Sequence, residues 1–325
     1  MEVIGDHGRL IQPEKLVTAI SELKSSVQGG GAKPTARRES KAAYVFLLPW
    51  ILGFVGLAVV PMATSLYLSF TKYNLIQSPT WIGLGNFQRM LHDDRLWNSL
   101  RVTFTYVIVS VPLQLVFALA VAMLLDRGMR GLAFYRSIFY LPSLLGSSVA
   151  VAILWRQVFG TDGIVNQLLQ MIGIEGRGWV SDPSTALGTI ILLHVWTFGA
   201  PMLIFLAGLR QIPTMYYEAA QMDGTNRFQR FFHITLPLLS PIIFFNLVLQ
   251  LIGSFQSFTQ AFIVSGGTGG PADSTMFYTM YLYQKGFAEL QMGYASAMAW
   301  ALVLIIGAFT ALNFLASKWW VFYDD

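Results

Sequence analysis

The chain has 325 residues, of which 54% are apolar and only 12% carry a charged side chain. Ordinary soluble domains contain about 25% charged residues, so lipid rather than water is the expected solvent for most of this chain. The net charge is +4 and there is no cysteine, which excludes disulfides, thiolate metal sites and a cysteine nucleophile. This composition also excludes disordered, collagen-like and nucleic-acid-binding classes.

The first 41 residues contain no apolar stretch and are predicted to form a tail. Apolar residues recur at helical spacing between Pro13 and Val27, which indicates a short amphipathic helix. Three glycines, residues 29–31, then end it, and a basic run follows. We therefore expect two regions: a tail over 1–41 and a membrane domain over 42–325. A regulatory or partner-docking role for the tail is the alternative to a simple tether.

Six stretches lack Asp, Glu, Lys and Arg and are candidate membrane spans: residues 42–71, 102–125, 137–155, 183–209, 231–272 and 290–317. A membrane helix needs about 20 mostly apolar residues. The fifth stretch is too long for one span, and we expect a single helix from about Pro237 to Phe258 followed by an uncharged loop. The runs are continuous rather than alternating, which argues against a β-barrel. The sequence thus predicts an all-α membrane protein with six transmembrane helices.

An even number of spans places both termini on one side of the membrane. With this arrangement, two thirds of the Lys and Arg residues lie on the side of the termini, including those of the short loops after the second and fourth spans. Positive charge is retained in the cytoplasm. We therefore expect both termini and residues 210–233 to be cytoplasmic.

The candidate spans contain no charged side chain, and His194 is the histidine placed near the middle of a span. An ion-coupled transporter generally needs a titratable group there, and one histidine supplies neither a nucleophile with its base nor a metal cluster. We interpret His194 as a hydrogen-bonded core residue. The P-loop pattern for nucleotide binding is absent. We therefore expect no enzyme activity and no cofactor in this chain, and any driving energy must come from another polypeptide.

The segment between the fourth and fifth spans predicts two short helices. Pro213 suits a first helical turn, and Glu218, Ala219 and Ala220 favour helix. Asp223 and Gly224 then end that helix, because glycine readily adopts the left-handed conformation past a helix end.

A second helix is predicted to begin at Asn226, with Gln229 completing a capping box. Pro237 and Pro241 mark the entry to the fifth span. The predicted knob has apolar surface to bury, contributed by Met215, Tyr216, Met222 and Phe228.

Nine residues of this segment resemble the EAA loop of ABC importer permeases at the spacing of that motif: Glu218-Ala219-Ala220, Asp223-Gly224, Phe231, Ile234 and Leu236-Pro237. Thr225 replaces the usual alanine after the glycine. Further matches are similar to carbohydrate permeases like the larger channel subunit of the maltose importer, and include Leu141-Pro142, Gly163 with Asn166, Asp182-Pro183, Leu206 to Leu209, Gly269-Gly270-Pro271 and Gly293-Tyr294-Ala295. The resemblance covers roughly residues 44–316.

The resemblance implies a division of labour. The EAA elbow would be the coupling helix between spans 4 and 5, seated in a cleft of a cytoplasmic ATPase. Glu218 would pair with a basic residue of that ATPase, and Gly224 would shape the turn. The implied partners are two ATPase subunits that bind ATP and Mg, a second and usually different permease subunit, and an external solute-binding protein. The implied location is the bacterial cytoplasmic (inner) membrane.

A substrate path is predicted on the fifth span. There Asn246, Gln250, Ser254 and Ser257 fall on one helical stripe, whereas Gln256 and Gln260 lie off it. Counted forward from the EAA motif, Gln250, Gly253, Ser254 and Ser257 correspond to sugar-contacting positions of the maltose-type subunit. Trp196 and Thr197 fall near its other contacting segment. The alternative is that these polar groups only hold helices together.

The sequence therefore predicts the permease subunit of an ATP-driven importer for a carbohydrate, most simply an oligosaccharide. A secondary transporter or channel that is not coupled to ATP is the alternative. The sequence does not name the sugar, and it does not distinguish a homodimer from a heterodimer.

Overall fold

The structure is a computed structural model that describes residues 46–128, 131–146 and 148–322. The predicted tail over 1–41 lies outside the described residues. The chain divides into two compact units, Met1–Ala63 and Thr64–Asp325. The first helix, α1 (Phe46–Ser69), begins in the first unit, whose described residues are exposed or half-buried.

The second unit contains a short antiparallel pair of strands, β1 (Thr71–Lys72) and β2 (Thr80–Trp81), with Thr71 opposite Trp81. Its further helices are α2 (Gly85–Leu91), α3 (Asp94–Asp126), α4 (Leu132–Leu145), α5 (Val149–Val158), α6 (Ile164–Met171), α7 (Ala186–Trp196), α8 (Gly199–Leu209), α9 (Thr214–Met222), α10 (Arg227–Phe255), α11 (Thr259–Val264), α12 (Tyr278–Tyr283) and α13 (Met292–Ser317). A π-helical turn, Phe231–Thr235, lies within α10.

Four of these helices, α1, α3, α10 and α13, are long and apolar enough to cross a membrane. Two bent pairs also qualify when each pair is taken as one span: α4 with α5, bent by 94°, and α7 with α8, bent by 42°. The described part of the chain is thus an all-α membrane protein with four to six spanning helices, apart from the β1–β2 pair. This confirms the predicted fold class.

The structure differs from the prediction at three spans. The fifth span was expected from about Pro237 to Phe258, but α10 begins at Arg227 and ends at Phe255. It starts early because the second helix of the predicted knob continues through the π-helical turn into the span. The third and fourth stretches, each predicted as one span, are each a bent pair of helices that can still form one span.

The second unit is built around α3, which packs against α7, α8, α10 and α12. The inner face of α3 carries small side chains where other helices come close, such as the fully buried Ala118 and Ala122. In lipid, helices gain little from hiding apolar surface and associate through close packing, which small residues permit. Side chains on the inner face of α3 are therefore fixed by close packing against four other helices.

One carboxylate, Asp93, ties the start of α3 to α12 and α13. Its Oδ1 accepts the N–H of Leu96 at 3.1 Å and thereby caps α3. Its Oδ2 accepts the hydroxyls of Tyr281 at 2.8 Å and Tyr294 at 2.7 Å. Burial alone would raise the pKa of Asp93, but these hydrogen bonds and the charge of Lys285 together hold it below its usual value. The fold therefore stabilises the ionised form.

We expect Asp93→Asn to lower the free energy of unfolding by about 1–3 kcal/mol, because hydrogen bonds to a charged acceptor are stronger than those to a neutral one. Asparagine still caps a helix, so the loss reports mainly the two tyrosine bonds. Thermal unfolding of the purified protein in detergent measures it, and Asp94→Asn, an exposed carboxylate in the same turn, is the matched control.

The lowered pKa of Asp93 predicts that the difference in stability between the native protein and Asp93→Asn depends on pH. Because the native pKa of Asp93 is lowered, its stabilising contribution is complete above the unfolded pKa of about 4. It is lost as the pH falls through the lower native value. The difference between the native protein and Asp93→Asn should therefore shrink in acid. Equal stability of the two proteins at pH 7 would contradict the assignment.

Candidate functional site

A cavity of about 350 Å³ opens beside the end of α10. We call it the polar cavity. It is lined by residues 253–260 except Phe255, and by Tyr106, Ser143, His194 and Thr197. This lining contains hydroxyl, amide and imidazole groups and no Asp, Glu, Lys or Arg. Such a wall suits a neutral ligand rich in hydroxyl groups.

The junction between α7 and α8 forms one side of the polar cavity. Here the carbonyl of Thr197 lacks its helical donor, because the residue four positions on is Pro201, which has no N–H. Two side chains from other helices replace that donor. Gln114 Nε2 donates to the carbonyl oxygens of His194 at 3.0 Å and Thr197 at 3.1 Å. Ser143 Oγ donates to the Thr197 carbonyl at 2.8 Å.

Close approach of α4 to this junction requires glycine at position 199. A Cβ there would collide with the carbonyl oxygen of Phe139 and lie 2.7 Å from Cα of Tyr140. With glycine, Ser143 comes near enough for its Oγ to accept the N–H of Ala200 at 2.9 Å. The Ser143 hydroxyl thus serves both sides of the break and is fixed in the cavity wall.

His194 faces the polar cavity rather than being enclosed by the core. Its Nε2 lies 3.5 Å from Ser254 Oγ, at the outer limit of a hydrogen bond. The ring of Tyr106 meets the imidazole edge to face, with centroids 5.5 Å apart. His194 is thus hydrogen-bonded, as interpreted from the sequence, and it also lines the polar cavity.

The residues that follow α10 form the other side of the cavity. They make a turn that Thr279 holds by donating its hydroxyl to the Ser257 carbonyl at 2.5 Å. Gln260 Nε2 donates to the carbonyl of Gly146 at 3.1 Å. Gln256 is exposed, so its amide is available to a ligand. Both glutamines lie off the predicted helical stripe, and they line the cavity because the helix has already ended.

Of the residues predicted for a substrate path, Thr197, Gly253, Ser254 and Ser257 line the polar cavity. Ser254 is fully buried on α10, whereas Ser257 lies beyond the helix end. The predicted path and the cavity therefore share the carboxyl end of α10.

The other three predicted residues lie outside the lining. Trp196 packs against Trp155, with ring centroids 6.0 Å apart. Asn246 is buried, and its Nδ2 donates to the carbonyl of Ile242 at 3.0 Å within the same helix. Gln250 is half-buried on α10. The sequence did not point to Tyr106 or Ser143, because each comes from a different helix and neither carries a local motif.

The predicted elbow is present as two helices joined by a glycine turn. We use the term elbow for α9, the turn that follows it and the first turn of α10. Gly224 has φ 72°, the left-handed conformation expected after a helix end. Asn226 and Gln229 form the predicted capping box, with both bonds at 2.8 Å. The Thr225 hydroxyl donates to the carbonyl of Ala220 at 2.6 Å.

The outer surface of the elbow carries large exposed apolar side chains. Met222 is 90% exposed and Phe228 is 77% exposed. Glu218, Ala219 and Asp223 are exposed, whereas Ala220 is buried. Glu218 makes no ion pair with any residue that the structure describes. This surface combines exposed apolar side chains with unpaired acids, as expected of a protein-binding surface.

Three comparisons place the chain among known proteins. A family model described as the binding-protein-dependent transport system inner membrane component matches residues 81–321. The probable ABC transporter permease protein YesP of Bacillus subtilis (strain 168) is 54% identical over 291 residues, covering 89% of this chain and 94% of YesP. The lactose transport system permease protein LacF of Rhizobium radiobacter is 32% identical over 296 residues, covering 87% and 98%.

A solved structure shares the fold. It is a chain in the crystal structure of a bacterial alginate ABC transporter in complex with an alginate pentasaccharide-bound periplasmic protein. The match has a TM-score of 0.76 at 19% sequence identity, and covers 88% of this chain and 98% of the other.

We expect Gln114→Met to destabilise the junction between α7 and α8. Methionine keeps the length of the side chain but cannot donate, so the carbonyls of His194 and Thr197 each lose one donor while each keeps another. The expected loss is about 0.5–1.5 kcal/mol of unfolding free energy, seen as a lower thermal unfolding temperature in detergent. Gln170→Met, at an exposed position of α6, is the control. An unchanged unfolding temperature for Gln114→Met would show that the junction does not depend on this side chain.

Proposed function

Since the chain belongs to the family of binding-protein-dependent transport system inner membrane components, we propose that it forms the membrane path for a carbohydrate in an ATP-driven importer. The observation that carries the proposal is the polar cavity, which has a wall of hydroxyl and amide groups without charge. Sugars present hydroxyl groups and apolar C–H faces, and Phe258 and Tyr106 supply aromatic surface. LacF is named for lactose, and the alginate transporter structure contains a periplasmic protein bound to an alginate pentasaccharide; both support an oligosaccharide as substrate.

The energy source is proposed to lie in partner chains. ATP and Mg would be bound by two cytoplasmic ATPase subunits, so that this chain is not itself an enzyme. We further propose a second permease subunit, which completes the path as a heterodimer, and an external solute-binding protein that delivers the sugar. The periplasmic protein in the alginate transporter structure supports the last of these.

The elbow is the proposed contact with the ATPase. Glu218 is free to pair with a basic residue of a partner, and the exposed Met222 and Phe228 supply apolar contact area. The proposal implies that the elbow and both termini lie in the cytoplasm and the chain in the bacterial cytoplasmic (inner) membrane, and the Lys and Arg distribution supports it. A cytoplasmic ATPase can contact only an elbow on its own side, so the docking test below also tests this orientation.

The alternative is a secondary transporter or channel that works without ATP. It would require sugar flux through this chain in the absence of any ATPase subunit. The decisive experiment reconstitutes the chain with its partner subunits and binding protein in vesicles and measures sugar uptake with and without ATP. Uptake that is independent of ATP would exclude the importer.

The polar cavity yields a test that separates it from the helical stripe. Gln256→Leu should raise the half-saturating sugar concentration for uptake by about two- to tenfold, the equivalent of about 0.5–1.5 kcal/mol for one lost hydrogen bond. Gln250→Leu, the same change on α10 outside the cavity, should have a smaller effect. Gln170→Leu controls for loss of an exposed amide. If only Gln250→Leu impairs uptake, the path follows the stripe and not the cavity.

The elbow yields a test of coupling. An added Cβ at Gly224 meets no atom within 4 Å, so substitution acts through the backbone conformation. Valine disfavours a positive φ by about 1 kcal/mol or more, whereas asparagine tolerates it. Gly224→Val should therefore weaken binding of the ATPase or reduce uptake per ATP hydrolysed, and Gly224→Asn should largely restore both. Wild-type docking and uptake for Gly224→Val would remove the elbow from the coupling role.

A further inference from the structure

A second cavity, of about 460 Å³, lies at the elbow end of the helices and is distinct from the polar cavity. We call it the arginine cavity. Its wall combines the ends of α3 and α8 with α9 and the start of α10. Arg127, Arg227 and Arg230 all line it, although they come from two segments far apart in sequence. The fold thus brings three arginine residues to the wall of one cavity; Arg127 and Arg227 are exposed and Arg230 is half-buried.

The positive charge of this cavity is not neutralised within the described part of the chain. Asp126 is the carboxylate in the lining, and its Oδ1 already lies 3.4 Å from Nε of Arg210. None of the three lining arginines makes an ion pair with a described residue. Like charges gathered without a counter-ion repel each other, and an anion in the cavity would relieve that repulsion.

The remaining wall combines apolar side chains with Tyr217 and Thr235. Met123 on α3, Leu209 on α8 and Phe231 on α10 all face the cavity. They belong to three spanning segments near the ends of those segments. The cavity therefore combines apolar and basic residues near the ends of three candidate spanning segments, where a membrane protein is expected to pass from the hydrocarbon region to water.

From this combination we propose that the arginine cavity binds the phosphate of an anionic phospholipid. Guanidinium groups recognise phosphate oxygens, and basic pockets between transmembrane helices accept anionic headgroups. The glycerol and upper acyl carbons would lie against the apolar wall, which a purely acidic protein segment would not need. Tyr217 of α9 also lines the cavity. A bound headgroup would therefore contact both helices of the elbow and hold them together, whatever substrate the protein transports.

The test is a lipid titration of the purified, delipidated protein in detergent, followed by native mass spectrometry. Dioleoylphosphatidylglycerol should bind more tightly than dioleoylphosphatidylcholine. Arg127→Gln and Arg230→Gln should each weaken the phosphatidylglycerol adduct about fivefold, the effect expected for one basic residue near an anionic headgroup. Arg127→Lys and Arg230→Lys keep the charge and should retain most of the binding. Arg101→Gln, an exposed arginine near the other end of α3, should change it little.

Three outcomes would overturn the proposal. One is equal phosphatidylglycerol binding by the native protein and the Arg127→Gln, Arg230→Gln double variant. Another is release of the lipid by millimolar inorganic phosphate with equal thermal stabilisation by phosphate alone, which would indicate a site for a free anion. The third is loss of the adduct when the ATPase subunit is added, which would assign the cavity to that protein. If the glutamine variants fold poorly, the comparison of the two lipids on the lysine variants decides.

Discussion

The carbonyl oxygen of Thr197 has no helical donor, because Pro201 follows at the position where the N–H would be. A polar backbone group left unpaired in hydrocarbon costs several kcal/mol. Gln114 from α3 and Ser143 from α4 supply the missing donors. This requirement fixes three separate segments at one point, and the polar cavity opens beside that point. The groups that satisfy the break thus also determine where a ligand can bind.

The same constraint recurs around the cavity. The pair α4 and α5 is interrupted near Gly146, whose carbonyl accepts from Gln260. The chain after α10 is interrupted at residues 256–258, where the Ser257 carbonyl accepts from Thr279. Irregular backbone at membrane depth is tolerated only where it is buried in protein or lines a cavity. Three interruptions meeting at one cavity are therefore what gives an otherwise apolar bundle a polar interior surface.

The fold class and the elbow were predictable from sequence, because their signals are local. Apolar length indicates a span, and the Gly224 turn and the capping box of Asn226 are encoded within a few residues. The cavity was only partly predictable. The stripe through Gln250 assumed that α10 continues to Phe258, whereas the helix ends at Phe255, and the nearest glycine, Gly253, lies inside the last turn rather than after it. The partners of the cavity come from α3, α4 and α7, and single-sequence periodicity does not tell which helices meet.

The continuity of α10 has a mechanical consequence. Its 29 residues form a rod about 43 Å long at 1.5 Å per residue, with the elbow at one end and Ser254 at the other. A tilt of about 10° at the elbow end would displace the far end of such a rod by about 7 Å, roughly the width of one sugar ring. A tilt of α10 that starts at the elbow would therefore move the wall of the polar cavity at Ser254. The π-helical turn at Phe231–Thr235 lies near the elbow end of this helix.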